Sequence, residues 1–193
     1  MRPARRFLAA LACVAGALLS ACATPTPRAE RAVLREVSAQ FFLGGRMSAS
    51  DGNQGASGRI EWQHDAAGDE VTVYSPLGQI AARLISSPTG AELLTSDGQR
   101  YQAENAEALM PRVFGFGVPV SRLAHWVQAA PPPGAEVREL DAAGRPALVI
   151  DQGWRVDYLE YPDTRARTLP TRVEVSRGDA RIRLIIDQWE LLQ

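Results

Sequence analysis

The chain has 193 residues, 46% of them hydrophobic, with 21 basic side chains, all arginine, against 22 acidic ones, for a formal net charge of −1. A balance this close to neutral, with no basic block, excludes the electrostatic footprint of a nucleic-acid binder. The length suffices for one domain with a real core, and two cysteines, Cys13 and Cys22, are too few for a disulfide framework.

Arg2, Arg5 and Arg6 precede an apolar run from Phe7 to Leu19, which ends in Leu19-Ser20-Ala21-Cys22. Thirteen apolar residues fall short of the roughly 20 that a bilayer-crossing helix needs, so residues 1–21 read as a secretory signal. The Leu-Ser-Ala-Cys ending resembles the bacterial lipobox, which implies cleavage before Cys22, diacylation of its thiol and acylation of its amine. That N-acyl diglyceride on Cys22 is the one attached group expected; no separate cofactor is. Cys13 leaves with the signal. Ala23 and Thr24 stand where lipoproteins kept at the inner membrane carry Asp, so the expected address is the outer membrane, anchored by lipid and facing the periplasm. The remaining 172 residues carry 18 Arg and 22 acidic side chains, a side-chain charge of −4.

Residues 22–39 form the lipidated tether. Ala23 to Glu30 has two prolines and no hydrophobic pattern, and a short helix is expected from about Arg28 to Ser38. From Gln40 to the C-terminus the pattern is that of a single domain. Period-two alternation broken by closely spaced turn signals predicts hairpins of an antiparallel sheet. Phe41 to Ser50 and Ser57 to His64 flank a loop, with Ile60 and Trp62 on one face. Val71 to Tyr74 then leads to Ser75-Pro76-Leu77-Gly78, a type I turn by its Pro and Gly positions. That turn leaves Leu77 on the outside of the bend, an unusual place for an aliphatic side chain.

After six or so short strands the sheet is interrupted. Ala106, Leu109, Met110 and Val113 have helical spacing, with Asn105 as a possible N-cap and Pro111 within the stretch. Ser121 to Gln128 is a second helical segment, with Ser121 as its cap, and the proline-rich Ala129 to Glu136 ends it as a stiff loop. The Gly115-Phe116-Gly117 stretch reads as a connector. Four further strands follow, with Leu148 and Ile150, then Trp154, Val156 and Tyr158, then Val173 and Val175, then Ile182, Leu184 and Ile186 in phase. Arg155, Asp157, Arg172, Glu174, Arg181 and Arg183 mark the opposite, wet face. A sheet of ten or eleven strands with one apolar face, and about two short helices to cover it, predicts a mainly β, α+β fold: a strongly curved sheet around the helices with room for a cavity.

No Gly-x-Ser-x-Gly, His-Glu-x-x-His, Cys-x-x-Cys or phosphate-loop pattern occurs. His64 and His125 are isolated, Asp187 and Glu190 sit among alternating charges on the last strand, and neither metal ligands nor catalytic residues are assigned. The protein is not read as an enzyme.

Gly45-Arg46, Trp62, Pro76-Leu77-Gly78, Asp97-Gly98 with Tyr101, Val118-Pro119 with Leu123 and Trp126, Gly153-Trp154-x-Val156-x-Tyr158, Leu169-Pro170, and Arg181-Ile182-x-Leu184 ending in Trp189 occur in that order behind the lipobox. This arrangement resembles the outer-membrane lipoprotein LolB family across most of the mature domain. It departs from that family after Trp126, where Gln128-Ala129-Ala130 stand where relatives often have a Gly before the proline. The resemblance implies an incomplete antiparallel β-barrel of about eleven strands closed on one side by helices, with an apolar cavity for acyl chains. It implies a monomeric receptor that accepts lipidated lipoproteins from the periplasmic carrier LolA and inserts them among outer-membrane phospholipids without nucleotide. The cavity-lining candidates are Ile60, Trp62, Val71, Val73, Leu148, Ile150, Trp154, Tyr158, Val173, Val175, Ile182, Leu184 and Ile186, and the resemblance makes Pro76-Leu77-Gly78 the membrane-insertion loop. The competing reading is an assembly lipoprotein in outer-membrane protein biogenesis, binding protein surfaces and not acyl chains.

Overall fold

The computed structural model describes residues 32 and 35–191. Cys22, the signal segment and most of the tether lie outside them, and so does most of the helix expected from Arg28; the described part of it, residues 35–38, is not helical.

Six strands open the domain: β1 (Phe41–Ser50), β2 (Gly55–Asp65), β3 (Gly68–Tyr74), β4 (Ile80–Ser87), β5 (Gly90–Thr95) and β6 (Arg100–Ala103). A 3-10 turn (Glu107–Leu109) and two helices, α1 (Met110–Phe114) and α2 (Val120–Val127), follow. The chain closes with β7 (Glu136–Leu140), β8 (Pro146–Asp151), β9 (Trp154–Glu160), β10 (Arg172–Arg177) and β11 (Ala180–Leu191). All eleven strands form one antiparallel sheet in the order β6-β5-β4-β3-β2-β1-β11-β10-β9-β8-β7. It is an open, incomplete barrel. Its two edges, β6 and β7, are consecutive strands of the chain, and the helical segment joining them covers the apolar face.

Alternation produces that face. Phe41, Leu43, Met47 and Ala49 of β1 are buried while Arg46 between them is exposed, and the same holds for Ile182, Leu184 and Ile186 against Arg181 and Arg183. These residues, their counterparts on β2, β9 and β10, and Met110, Val120, Ala124, Trp126 and Val127 of the helices make one core. The pairing of β1 with β11 slips one residue between Gly44 and Gly45. This bulge changes the phase of β11, so that Trp189 beyond it packs on the core as Ile186 before it does. Only glycine fits at 45, where a Cβ would lie 2.2 Å from the Ile185 carbonyl oxygen.

Pro111 neither kinks nor ends its helix: it stands in the first turn of α1, where a missing N–H costs nothing. Asn105 accepts the Ala108 N–H at 3.0 Å. Ser121 is not the cap of α2; Pro119 holds that position, and Glu107 Oε1 accepts the Ser121 N–H at 3.0 Å. The helix ends in a Schellman motif: the Ala129 N–H donates to the Trp126 carbonyl and the Ala130 N–H to that of His125. Its left-handed residue is Ala129, at φ 51°.

Two strand readings change. The stiff loop expected to run to Glu136 ends one residue earlier, and Glu136–Leu140 forms β7. In β8 the inward residue is Val149, fully buried and paired with Val156, which puts Leu148 and Ile150 on the other face.

In this hairpin array the 51–54, 75–79 and 95–99 loops stand at one end of the sheet, and the chain enters β1 at the other.

Candidate functional site

The apolar face and its helical cover enclose a cavity of about 60 Å³ with no polar lining. Ile60, Trp62, Val71, Val73, Ile182 and Leu184 line it from the sheet. Sequence reasoning placed these six but missed the other sheet residues, Met47, Ala82, Leu84 and Leu93, and the whole contribution of the cover: Met110, Val113, Phe114, Val120 and Leu123. The signal for the latter was present, because two apolar helical stripes that interrupt a sheet have only its apolar face to pack against. Trp154, Tyr158, Val173, Val175 and Ile186 are buried in the core beyond the cavity and do not line it, nor do Leu148 and Ile150.

A cavity of this size is far below the roughly 300–1,000 Å³ of a small-molecule site. It is a dry seam between sheet and cover, and it holds a long chain only if the cover moves away from the sheet. The seam continues into a pocket of about 550 Å³, sharing with it Met47, Val73, Ala82, Val113 and Phe114. This second pocket is partly polar, with Ser57, Thr95, Ser96, Asp97 and Arg112 on its walls. It opens at the end of the sheet that carries the 51–54, 75–79 and 95–99 loops.

Leu77 stands at that same end and is 88% exposed. The turn is tightly made: the Gly78 N–H donates to the Ser75 carbonyl at 2.9 Å, the Ser75 N–H to that of Gln79 at 2.8 Å, and Gly78 takes φ 81°. These are the features of a three-residue hairpin loop closed by a left-handed glycine. The adjacent tip repeats it, with Gly98 donating to Thr95, Thr95 to Gln99 and Gly98 at φ 80°. Two turns of one geometry thus present Leu77 and Asp97 at equivalent positions. The backbone therefore does not demand a leucine there, and Leu77 makes no use of the core.

Trp62 is fixed by its polar edge: its indole N–H donates to Asp69 Oδ1 at 2.8 Å. The same oxygen lies 2.7 Å from His64 Nδ1, and Ser86 Oγ donates to Oδ2 at 3.3 Å. Burial pushes the Asp69 carboxyl up, but the donors from His64, Trp62 and Ser86 outweigh it and hold the group below its ordinary value. His125 Nδ1 lies 3.2 Å from the Ala130 carbonyl at the end of α2. On the wet face Asp187 pairs with Arg46, Gln188 donates to Glu190, and Arg181 and Arg183 share Glu174. Among the described residues no three His, Cys, Asp or Glu side chains come together as a metal site, and no helix is long and apolar enough to cross a membrane.

Comparison with known proteins adds a family. Residues 39–189 match the family described as outer membrane lipoprotein LolB. The chain is 36% identical over 186 residues to the outer-membrane lipoprotein LolB of Thiobacillus denitrificans, covering 96% of this chain and 98% of that one. It is 35% identical over 201 residues to that of Alkalilimnicola ehrlichii, with 99% of each covered, and 36% identical over 153 residues to that of Nitrosomonas europaea, covering 78% and 72%.

Proposed function

The chain belongs to the outer membrane lipoprotein LolB family, and from that premise we propose that it is an outer-membrane receptor that takes lipoproteins from the soluble carrier LolA and inserts them into the inner leaflet of the outer membrane. One observation carries the reading: a cavity without a polar wall leads to a mouth at the end of the sheet where a solvent-exposed leucine stands.

The physical need is set by the cargo. Each acyl methylene exposed to water costs about 0.8 kcal/mol, so three long chains cost tens of kcal/mol without shelter. The seam between sheet and cover supplies that shelter when the cover yields, with Met110, Val113, Phe114 and Leu123 sliding over the chains that Ile60, Val71, Val73 and Leu184 floor. No nucleotide step is invoked: cargo moves from carrier to receptor to bilayer down a gradient of affinity, and the bilayer is the sink. Leu77 acts at the last step. Its transfer into hydrocarbon yields roughly 1.5–3 kcal/mol at most, too little to anchor the protein but enough to seat the mouth against the bilayer. Anchoring is assigned to the acyl groups on Cys22, and the working unit to a monomer.

The test is transfer. The soluble carrier is loaded with a radiolabelled lipoprotein, mixed with the mature chain carrying Cys22→Ala, and then given liposomes of outer-membrane phospholipid composition. Cargo is expected to pass first to this protein and then to the liposomes. Cargo that stays on the carrier in the presence of folded protein rejects the reading.

A further inference from the structure

The dry seam has no polar wall, but a lipoprotein is not only hydrocarbon. Its acyl chains end in ester and amide carbonyls that join them to a peptide, and burying those groups unpaired is unfavourable. On the proposed receptor reading they must stop at the mouth. The mouth has one cationic side chain on its walls.

That side chain is Arg112, exposed in the last turn of α1. Among the described residues it makes no ion pair, whereas Arg46, Arg59, Arg83, Arg100, Arg155 and Arg172 of the sheet each face a carboxylate. Its guanidinium lies over the Tyr101 ring, 4.3 Å from the centroid, which positions the charge without consuming N–H donors on an acceptor. The other charged group on the mouth walls, Asp97, is occupied by its own turn, accepting from Thr95 Oγ1 and the Gln99 N–H. Val113 and Phe114, next to Arg112 on the same helix, line the dry seam and the mouth alike. Any chain that enters under α1 therefore brings its polar end to Arg112.

We infer that Arg112 holds the carbonyl-bearing junction between acyl chains and peptide, so that the mouth is a polar subsite adjoining the dry one. Arg112 is a positioning residue: it fixes how deep the cargo sits, leaving the peptide outside and the chains inside.

Two probes separate this role from a structural one, with the mature Cys22→Ala chain as background. The first is N-phenyl-1-naphthylamine, an apolar fluorophore that reports the seam alone; the second is a synthetic tripalmitoyl-glyceryl-cysteinyl peptide of uncharged residues, which carries the junction. Arg112→Met keeps an unbranched side chain and removes the donors and the charge that lies over Tyr101. It is expected to weaken the lipopeptide about tenfold, the scale of one hydrogen bond to a charged group, and to leave naphthylamine binding within about twofold. Arg112→Lys should recover most of the loss. Equal weakening of both probes by Arg112→Met, or an unchanged lipopeptide affinity, overturns the inference. A background protein that takes the naphthylamine but not the lipopeptide overturns the receptor reading itself, and this inference with it.

Discussion

The Gln128 side chain pairs with both backbone groups of Ser38, accepting its N–H at 2.8 Å and donating to its carbonyl at 3.2 Å, as a neighbouring strand would. A third bond, to the Ala124 carbonyl at 3.0 Å, holds the carboxamide against α2. The segment that leads into β1 is thereby fastened to the end of the cover, at a fully buried residue.

Gln128→Ala should therefore be one of the costly single substitutions outside the apolar core. It leaves part-buried groups on Ser38 and a buried carbonyl on Ala124 without partners, for about 2–4 kcal/mol. The check is the urea midpoint at unchanged m-value.

The residue after it tests the helix terminus. Ala129 and Ala124 are both buried alanines, but Ala129 has a left-handed backbone and Ala124 is helical. Ala124→Gly loses a methyl and helix propensity, about 1.5–2 kcal/mol together. Ala129→Gly loses the methyl but relieves about 1–2 kcal/mol of left-handed strain, and is expected within about 0.5 kcal/mol of the parent. Thermal denaturation of the pair measures the difference.

Leu77→Asp gives one tip the residue of the other. In the Thr95 turn, Asp97 accepts the Thr95 hydroxyl; in the Leu77 turn the Ser75 hydroxyl is buried without a partner. The substitution should leave thermal stability unchanged within about 0.5 kcal/mol or raise it. Acceptance of cargo from the carrier should persist, while delivery to liposomes falls at least about tenfold, the equivalent of losing 1.4 kcal/mol. If delivery is unaffected, the membrane role of Leu77 is wrong.

Asp69 makes stability depend on pH. Its carboxyl is held below the ordinary value in the fold, so its contribution is present above about pH 4, the unfolded carboxylate value, and is lost as pH falls through the folded one. Asp69→Asn is expected to lower stability near neutrality. The gap to the parent should shrink as both are titrated from pH 5 towards pH 2.5, with melting temperature followed at each step.

Much of the fold was legible because one face of the sheet is dry and the other wet. Strands such as Phe41–Ser50 and Ala180–Leu191 carry that contrast residue by residue. In β8, Ala147-Leu148-Val149-Ile150 is apolar without interruption, and an unbroken run has no phase to read. In β7, an edge strand with few apolar contacts and two register slips, Glu136-Val137-Arg138-Glu139-Leu140 reads as surface. Leu77 stood out because a turn gives an aliphatic side chain no reason to be there. Arg112 did not: its significance lies in lacking the carboxylate that its neighbours have, and pairing across strands is invisible until the register is known.

Because the two edges of the sheet are consecutive in the chain, the seam can widen without unzipping the ladder. Displacing the segment from Glu104 to Pro119 breaks apolar contacts, the Arg112–Tyr101 contact and the bond from the Ser121 N–H to Glu107, but no strand pairing. In amide hydrogen exchange, the fluctuation that admits cargo belongs to a local opening unit well below the free energy of global unfolding. Backbone amides of β1, β2, β10 and β11 should stay protected while those of α1 exchange, and bound acyl chains should slow the first set little and the second set most.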